Sequence, residues 1–178
     1  YARKTFQKIM IYDDSYNIHI SFEENIKWIK QLKQGFKDNL LKAYFQPIVD
    51  TQTKEVIKYE ALIRYIDHDG KEFSPYSFLH IAKKTKLYSN IIKVILEDSL
   101  KLIKNKNKRV SINISYDDIL NEKTTKYIYN YLDENIDFAS NIEFEILESE
   151  EISDFNLVDT FIDNVSRYGC KVGIDDFG

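Results

Sequence analysis

The sequence predicts an α/β domain built on a mainly parallel β-sheet. Strand-like runs alternate with amphipathic helices in the order strand, strand, helix, strand, helix, strand, helix, strand. Repeated strand–helix units of this kind are typical of parallel sheets. The 178 residues are 43% hydrophobic and 30% charged, which fits one globular domain with a substantial core. The pattern leaves an open doubly wound sheet and a (β/α) barrel as alternatives.

The first element that the pattern predicts is an amphipathic helix over residues 22–41, with Ser21 as its N-cap. Apolar residues recur there at helical spacing, and Trp28 is expected in the packed face. Residues 1–20 are interpreted as the tail of a preceding domain or a linker, and residues 21–178 as the main domain.

Alternation and periodicity then predict the rest of the domain in chain order. The expected strands cover residues 43–50, 56–65, 109–115, 141–149 and 171–177, and the expected helices cover residues 75–82, 89–104, 124–132 and 155–168. Ser74 and Pro75 are suited to the N-cap and first residue of a helix. Pro47 cannot donate a backbone hydrogen bond, so the first strand is expected to lie at an edge, to carry a bulge or to end there.

Composition excludes several classes of protein. A net charge of -4 provides no basic surface for a nucleic acid polymer, and 14% aromatic residues argue against disorder. The single cysteine, Cys170, excludes an internal disulfide, predicts a packed thiol and suits the reducing cytoplasm. No apolar run approaches the ~20 residues of a membrane span, so this segment is expected to make no membrane contact. A transmembrane or sensory part upstream stays an open alternative, since the parent could be membrane-anchored.

Four of the predicted strands carry polar residues whose side-chain oxygens could bind a metal ion. Alternation places Glu60, Leu62 and Arg64 on one face of the second strand, and it sends Asn113 to the interior, opposite the apolar set of the third strand. In the fourth strand Glu148 shares a face with Phe144 and Ile146, and the fifth strand ends near Asp175 and Asp176.

These strand ends predict a common cation site. The C-terminal ends of parallel strands hold the active site in this class of fold, and carboxylate and amide oxygens suit Mg²⁺ or Mn²⁺. Two such ions could clamp a phosphoryl group for attack by water. Each residue also has a plainer interpretation: Glu60 as an exposed residue or an ion-pair partner of Arg64, Asn113 as a partner of loop backbone, Glu148 as part of a solvated acidic stretch, and the Asp175–Asp176 pair as a turn or helix cap.

Several motifs appear in a fixed order. They are Phe45-Gln46-Pro47-Ile48-Val49, Glu60-Ala61-Leu62-Ile63-Arg64, Ser74-Pro75 with Phe78 and Ala82, Val110-Ser111-Ile112-Asn113-Ile114-Ser115, Glu145-Ile146-Leu147-Glu148-Ser149 and Asp175-Asp176-Phe177-Gly178. In these motifs residues 40–178 resemble the EAL domain family of cyclic di-GMP phosphodiesterases. More weakly, Tyr1-Ala2-Arg3-Lys4 and Ile11-Tyr12-Asp13-Asp14 resemble the end of a GGDEF domain, as in tandem GGDEF–EAL proteins.

The resemblance implies a TIM-like (β/α) barrel whose first strand is antiparallel, here truncated after about the fifth strand. It also implies hydrolysis of cyclic di-GMP to linear pGpG with two divalent cations, Mg²⁺ or Mn²⁺, and inhibition by Ca²⁺. By motif, the metal ligands are Glu60, Asn113, Glu148, Asp175 and Asp176, the nucleotide contacts are Gln46, Leu62 and Arg64, and Glu60, Asp175 and Asp176 are catalytic. Members of the family commonly dimerise, so a homodimer is expected.

Two departures from the family pattern matter. Leu147 replaces the threonine that usually precedes the glutamate matched by Glu148. The lysine, later glutamate and final glutamine that complete the family's site have no counterpart among these residues. We therefore expect the chain to be part of a longer protein, called the parent protein below, and to hydrolyse little by itself. The alternative function is a degenerate EAL domain that acts as a cyclic di-GMP receptor or a protein-interaction module.

Overall fold

The structure is a computed structural model that describes residues 14–85, 87–147 and 154–175; for residues 14–21, 147 and 175 it describes the backbone alone. Its elements in chain order are α1 (Asp14–Lys37), β1 (Leu41–Val49), β2 (Val56–Ile66), β3 (Glu72–Phe73), a 3₁₀ turn (Pro75–Ser77), α2 (Leu79–Lys83), α3 (Tyr88–Lys106), β4 (Arg109–Ile114), α4 (Tyr116–Leu120), α5 (Glu122–Glu134), α6 (Ile136–Ala139), β5 (Ile142–Leu147), α7 (Phe155–Ser166) and β6 (Lys171–Asp175).

All five predicted strands are present, and their described bounds agree with the prediction to within two residues; the predicted ends at residues 149 and 177 lie outside the described residues. Ser74 is the N-cap of the 3₁₀ turn and Pro75 its first residue, as predicted. The sequence did not indicate β3, α4 or α6, because segments of two to five residues are too short to show a period.

The strands form one sheet in the order β1-β2-β4-β5-β6, with β3 paired to β2, within the described residues. β1 is antiparallel to β2, whereas β2, β4, β5 and β6 pair in parallel. Each successive parallel strand is added on the same side of the sheet, as in a (β/α) barrel. In a doubly wound sheet the direction in which strands are added would reverse at a switch point. Pro47 lies in β1, at an edge of the described sheet, and the register shifts between Ile48 and Val49, as its missing N–H predicts.

The first helix differs from its prediction. α1 begins by Asp14, so the expected N-cap Ser21 lies inside the helix, and the helix ends at Lys37 rather than at residue 41. Asn39 has a φ of 55°, the left-handed conformation that commonly follows a helix end. Leu41, which also fits the helical period, instead begins β1. The predicted boundary between residues 20 and 21 falls within this continuous helix. Residues 1–13, which include most of the segment that resembles a GGDEF domain, lie outside the described residues.

One face of the sheet packs under the helices and is called the helix face. Its buried side chains are Ala61, Ile63 and Tyr65 of β2, Val110, Ile112 and Ile114 of β4, and Ile142, Phe144 and Ile146 of β5. Trp28 of α1 packs edge-on against Tyr65 and Phe73, with ring centroids 5.6 and 5.3 Å away, which confirms the predicted packed position. α1 thereby closes one side of this core.

Cys170 is the packed thiol that the sequence predicts. It is 5% exposed, and its Sγ donates to the Ala139 carbonyl at 3.1 Å. Burial raises the pKa of this thiol to about 12. The thiolate is the reactive form of cysteine, so Cys170 contributes packing rather than chemistry. The helices of the described residues include no candidate membrane-spanning segment.

Candidate functional site

The opposite face of the sheet carries the polar side chains and is called the inner face. Side chains alternate between the two faces of each strand, and directly paired residues share a face. The pairing register therefore places on the inner face Lys42, Tyr44, Gln46 and Ile48 of β1, Lys58, Glu60, Leu62, Arg64 and Ile66 of β2, Arg109, Ser111 and Asn113 of β4, Glu143 and Glu145 of β5, and Lys171 and Gly173 of β6.

Glu60 and Asn113 meet on the inner face, as the sequence predicts. Asn113 Nδ2 donates a hydrogen bond to Glu60 Oε1 at 3.0 Å, and Asn113 Oδ1 is buried with no hydrogen-bond partner among the described residues. Parallel pairing of β2 with β4 runs from Lys58 to Ala61, so Glu60 stands near the end of that paired stretch. A carboxylate and an amide from neighbouring strands, both of which can bind a metal through oxygen, thus lie together where the β2–β4 pairing ends.

The predicted nucleotide contacts stand beside this pair. Gln46 is exposed and pairs with Glu60 across the β1–β2 ladder. Leu62 and Arg64 follow Glu60 on the same face and are half-buried. Arg64 Nη1 donates to the carbonyl of Ile63 at 2.9 Å, and within the described residues no ion pair joins Arg64 to Glu60. The plainer interpretation of Glu60 as a partner of Arg64 is therefore wrong.

The remaining predicted ligands are placed only in part. Asp175 is the last residue of β6 and pairs with Leu147, at the C-terminal end of the parallel strands; Glu148 and Asp176 lie outside the described residues. Phe144 and Ile146, which alternation groups with Glu148, are buried on the helix face, opposite Asn113. Alternation thus gives no support for Glu148 on the inner face, and its role rests on the motif match.

The inner face also carries a cluster of charges that the sequence did not predict. Lys58 Nζ lies 2.7 Å from Glu145 Oε1 and 3.1 Å from Glu143 Oε1, and Arg109 Nη1 is 3.9 Å from Glu143 Oε2. The side chains of Lys58, Glu143 and Glu145 are only 18%, 17% and 12% exposed, so these glutamates are not the solvated acidic surface that the sequence allowed. Burial would lower the pKa of Lys58, but the hydrogen bonds and charges of the two glutamates outweigh it and raise that pKa. Strand alternation could have placed Lys58 on the same face as Glu60, because the two residues are two positions apart. Its partners could not be predicted, because they depend on the strand register.

The chain is similar to known proteins in sequence and in fold. Cyclic di-GMP phosphodiesterase PdeF of Escherichia coli K12 is 25% identical over 161 residues, covering 88% of this chain and 21% of that protein. The FimX EAL domain of Pseudomonas aeruginosa, solved bound to c-di-GMP, matches with a TM-score of 0.75 at 22% identity, over 85% of this chain and 62% of that one. LapD of Vibrio cholerae, solved as an S helix-GGDEF-EAL protein, matches with a TM-score of 0.75 at 17% identity, over 86% of this chain and 38% of that one.

The likeness to solved structures establishes the fold. The solved neighbours place the described sheet within a TIM-like barrel of EAL type. The antiparallel pairing of β1 with β2 confirms the predicted antiparallel first strand. The chain spans about one fifth of the length of the curated relatives it matches, 21% in each of the first two. The profile of the EAL domain matches residues 29–178. The chain therefore belongs to the EAL domain family.

Proposed function

We propose that the parent protein is a metal-dependent phosphodiesterase that hydrolyses cyclic di-GMP to linear pGpG. The observation that carries this proposal is the Glu60–Asn113 pair, which presents a carboxylate and an orphaned amide oxygen on adjacent strands. Membership of the EAL family and the naming of relatives such as PdeF as cyclic di-GMP phosphodiesterases support it.

The residues present suit a divalent cation. Burying a polar atom without a hydrogen-bond partner costs about 1–3 kcal/mol. A bound cation that Asn113 Oδ1 coordinates would offset this cost. Amide and carboxylate oxygens are the ligands of Mg²⁺ and Mn²⁺. We propose that Glu60 and Asn113 hold the cations together with Glu148, Asp175 and Asp176. Bound there, two divalent cations would supply positive charge at the phosphoryl group and activate water as a nucleophile.

The other residues of the inner face would bind and orient the nucleotide. Arg64 offers a guanidinium whose planar fork matches a phosphate, and its contact with the Ile63 carbonyl occupies only one of five N–H donors. Gln46 lies directly across from Glu60, where its amide could bind the ligand next to the cation site. Leu62, between Glu60 and Arg64 on the same face, gives the nucleotide an apolar neighbour.

Turnover with defined metals tests the proposed function. The parent protein is incubated with cyclic di-GMP and Mn²⁺, Mg²⁺ or Ca²⁺, and the products are separated by chromatography. We expect pGpG with Mn²⁺ and Mg²⁺, and none with Ca²⁺ or after chelation. Binding of cyclic di-GMP without pGpG would instead support the alternative, a non-catalytic receptor. Neither binding nor turnover would contradict both functions.

The 178-residue chain is expected to hydrolyse little by itself, because the positions that match the family's lysine, later glutamate and glutamine are not among its residues. Robust pGpG formation by this chain alone would show that those groups are dispensable or supplied by a second copy. We further propose that the parent protein is a homodimer with a tandem GGDEF domain and acts in the bacterial cytoplasm. Light scattering of the purified parent protein would test the dimer.

A further inference from the structure

Tyr44 stands among the proposed nucleotide contacts although no motif points to it. In the antiparallel β1–β2 ladder it pairs directly with Leu62, and the next inner-face residue, Lys42, pairs with Arg64. Directly opposed residues in such a ladder lie about 4.5–5.5 Å apart at Cβ and share a face. Tyr44 is therefore a direct neighbour of Leu62 on the inner face, two residues along its strand from Gln46.

The Tyr44 ring is exposed and yet held in place. It is 38% exposed, and the Arg64 guanidinium carbon lies 6.0 Å from the ring centroid. Its hydroxyl donates a hydrogen bond to Glu72 Oε1, and this bond is the main cause of a raised pKa of Tyr44, so the hydroxyl stays a donor. A ring that is oriented on one side by Arg64 and at its tip by Glu72 keeps part of its surface open to a flat ligand.

Glu72 brings a carboxylate to the same place. It is exposed, belongs to the two-residue strand β3 and pairs with Ile66, which follows Arg64 on the inner face of β2. A carboxylate accepts hydrogen bonds at two oxygens and about four lone-pair positions, so its bond to Tyr44 leaves further acceptor capacity. Guanine presents two adjacent donors, N1–H and N2–H, on its Watson–Crick edge, whereas adenine has an acceptor at N1.

We propose that Tyr44 and Glu72 form a guanine-recognition subsite, in which the base stacks on the Tyr44 ring and donates from N1–H and N2–H to the Glu72 carboxylate. Aromatic stacking and hydrogen bonding to the Watson–Crick edge are the usual means by which proteins read an unpaired base. The inference rests on the proposed function, because it assumes that a guanine nucleotide lies over Leu62 and Arg64. The neighbouring Arg64 would bind the phosphate of the same nucleotide.

Nucleotide affinity tests the subsite. Cyclic di-GMP and cyclic di-AMP are titrated calorimetrically, with Ca²⁺ to prevent turnover, into the parent protein and its Tyr44→Ala, Tyr44→Phe and Glu72→Gln variants. Loss of a stacked base costs about tenfold in affinity or more, so Tyr44→Ala should weaken cyclic di-GMP binding by that factor, and Tyr44→Phe by less than about threefold. Glu72→Gln should weaken cyclic di-GMP alone, so the preference for it over cyclic di-AMP should fall about tenfold, as expected for a base-reading hydrogen-bond pair.

The matched control is Tyr76→Ala, which removes a tyrosine that is 92% exposed on the 3₁₀ turn and should leave both affinities unchanged. Tyr44→Ala binding equal to that of the wild type would overturn the subsite, as would an equal loss of both nucleotides in Glu72→Gln. Tyr44→Phe and Glu72→Gln preserve shape, so they keep the test decisive if Tyr44→Ala fails to fold. A wild-type protein that binds no cyclic dinucleotide would instead refute the proposed function.

Discussion

The charge cluster on the inner face should make Lys58 important for stability. Its ammonium lies within 2.7 and 3.1 Å of two carboxylates, and all three side chains are less than one fifth exposed. Lys58→Met keeps most of the aliphatic stem but leaves Glu145 without the cation that it contacts, and it leaves Glu143 with only the more distant Arg109, 3.9 Å away. Breaking a fully buried pair costs about 3–5 kcal/mol and an exposed pair about 0–1 kcal/mol. At this partial exposure we expect the free energy of unfolding to fall by about 2–3 kcal/mol.

The assay is urea denaturation at 25 °C and pH 7, followed by fluorescence of Trp28, the one tryptophan in the chain. The matched control is Lys101→Met, which removes a lysine that lies 2.9 Å from Asp98 but is 70% exposed, and it should cost less than about 1 kcal/mol. Adding Glu143→Gln and Glu145→Gln to Lys58→Met should restore most of the loss, because no carboxylate then lacks its counter-charge.

The raised pKa of Lys58 fixes the sign of the pH dependence. A lysine whose pKa is higher in the folded state contributes stability that is fully present below its unfolded pKa, about 10.4. That contribution is lost as the pH rises through the folded value. The difference between wild type and Lys58→Met should therefore be constant from pH 7 to 9 and shrink at higher pH. A Lys58→Met variant no less stable than Lys101→Met would show that the Lys58 contacts do not stabilise the fold.

Three further predictions concern the packing of the domain. A Cβ on Gly35 would lie 2.5 Å from Tyr65 Cε2, so Gly35→Ala should lower the free energy of unfolding by about 1–3 kcal/mol in urea denaturation, whereas Lys33→Ala at an exposed position of the same helix should be neutral within about 0.5 kcal/mol. Because burial raises the pKa of Cys170 to about 12, a colorimetric thiol reagent should modify it at pH 8 only after unfolding, and rapid labelling of the native protein would contradict its burial. Burial also raises the pKa of Asp118, so the stability of the wild type relative to Asp118→Asn should increase as the pH falls from 7 to 5, and a difference independent of pH would show that the carboxyl is not desolvated.

The parts of the fold that the sequence predicted well have strong local signals. Strict alternation in β4, with Val110, Ile112 and Ile114 opposite Ser111 and Asn113, identified both the strand and the face of its amide. The end of α1 was predicted less well, because Leu41 fits a helical period and a strand equally. In the structure the left-handed conformation of Asn39 follows the helix and precedes the strand, and the period of apolar residues does not reveal it.

In the candidate site, too, the residues with clear local signals were predicted and the contacts between strands were not. Glu60 and Asn113 were predicted to converge, and they do, because both stand on parallel strands with clear alternation. The cluster of Lys58 with Glu145 and the pairing of Tyr44 with Glu72 were not predicted, because each contact joins different strands. Such contacts depend on register, and a single sequence does not reveal which residues of two strands stand side by side.

The most direct test of the proposed site is the turnover of cyclic di-GMP by the parent protein and its Glu60→Ala variant, measured as pGpG formed with saturating Mn²⁺. Loss of a shared metal ligand removes several kcal/mol of transition-state stabilisation, so we expect kcat to fall at least about a hundredfold. Glu55→Ala, which changes an exposed glutamate in the turn before β2, should retain the wild-type rate. Equal rates for Glu60→Ala and Glu55→Ala would contradict a catalytic site built on Glu60 and Asn113.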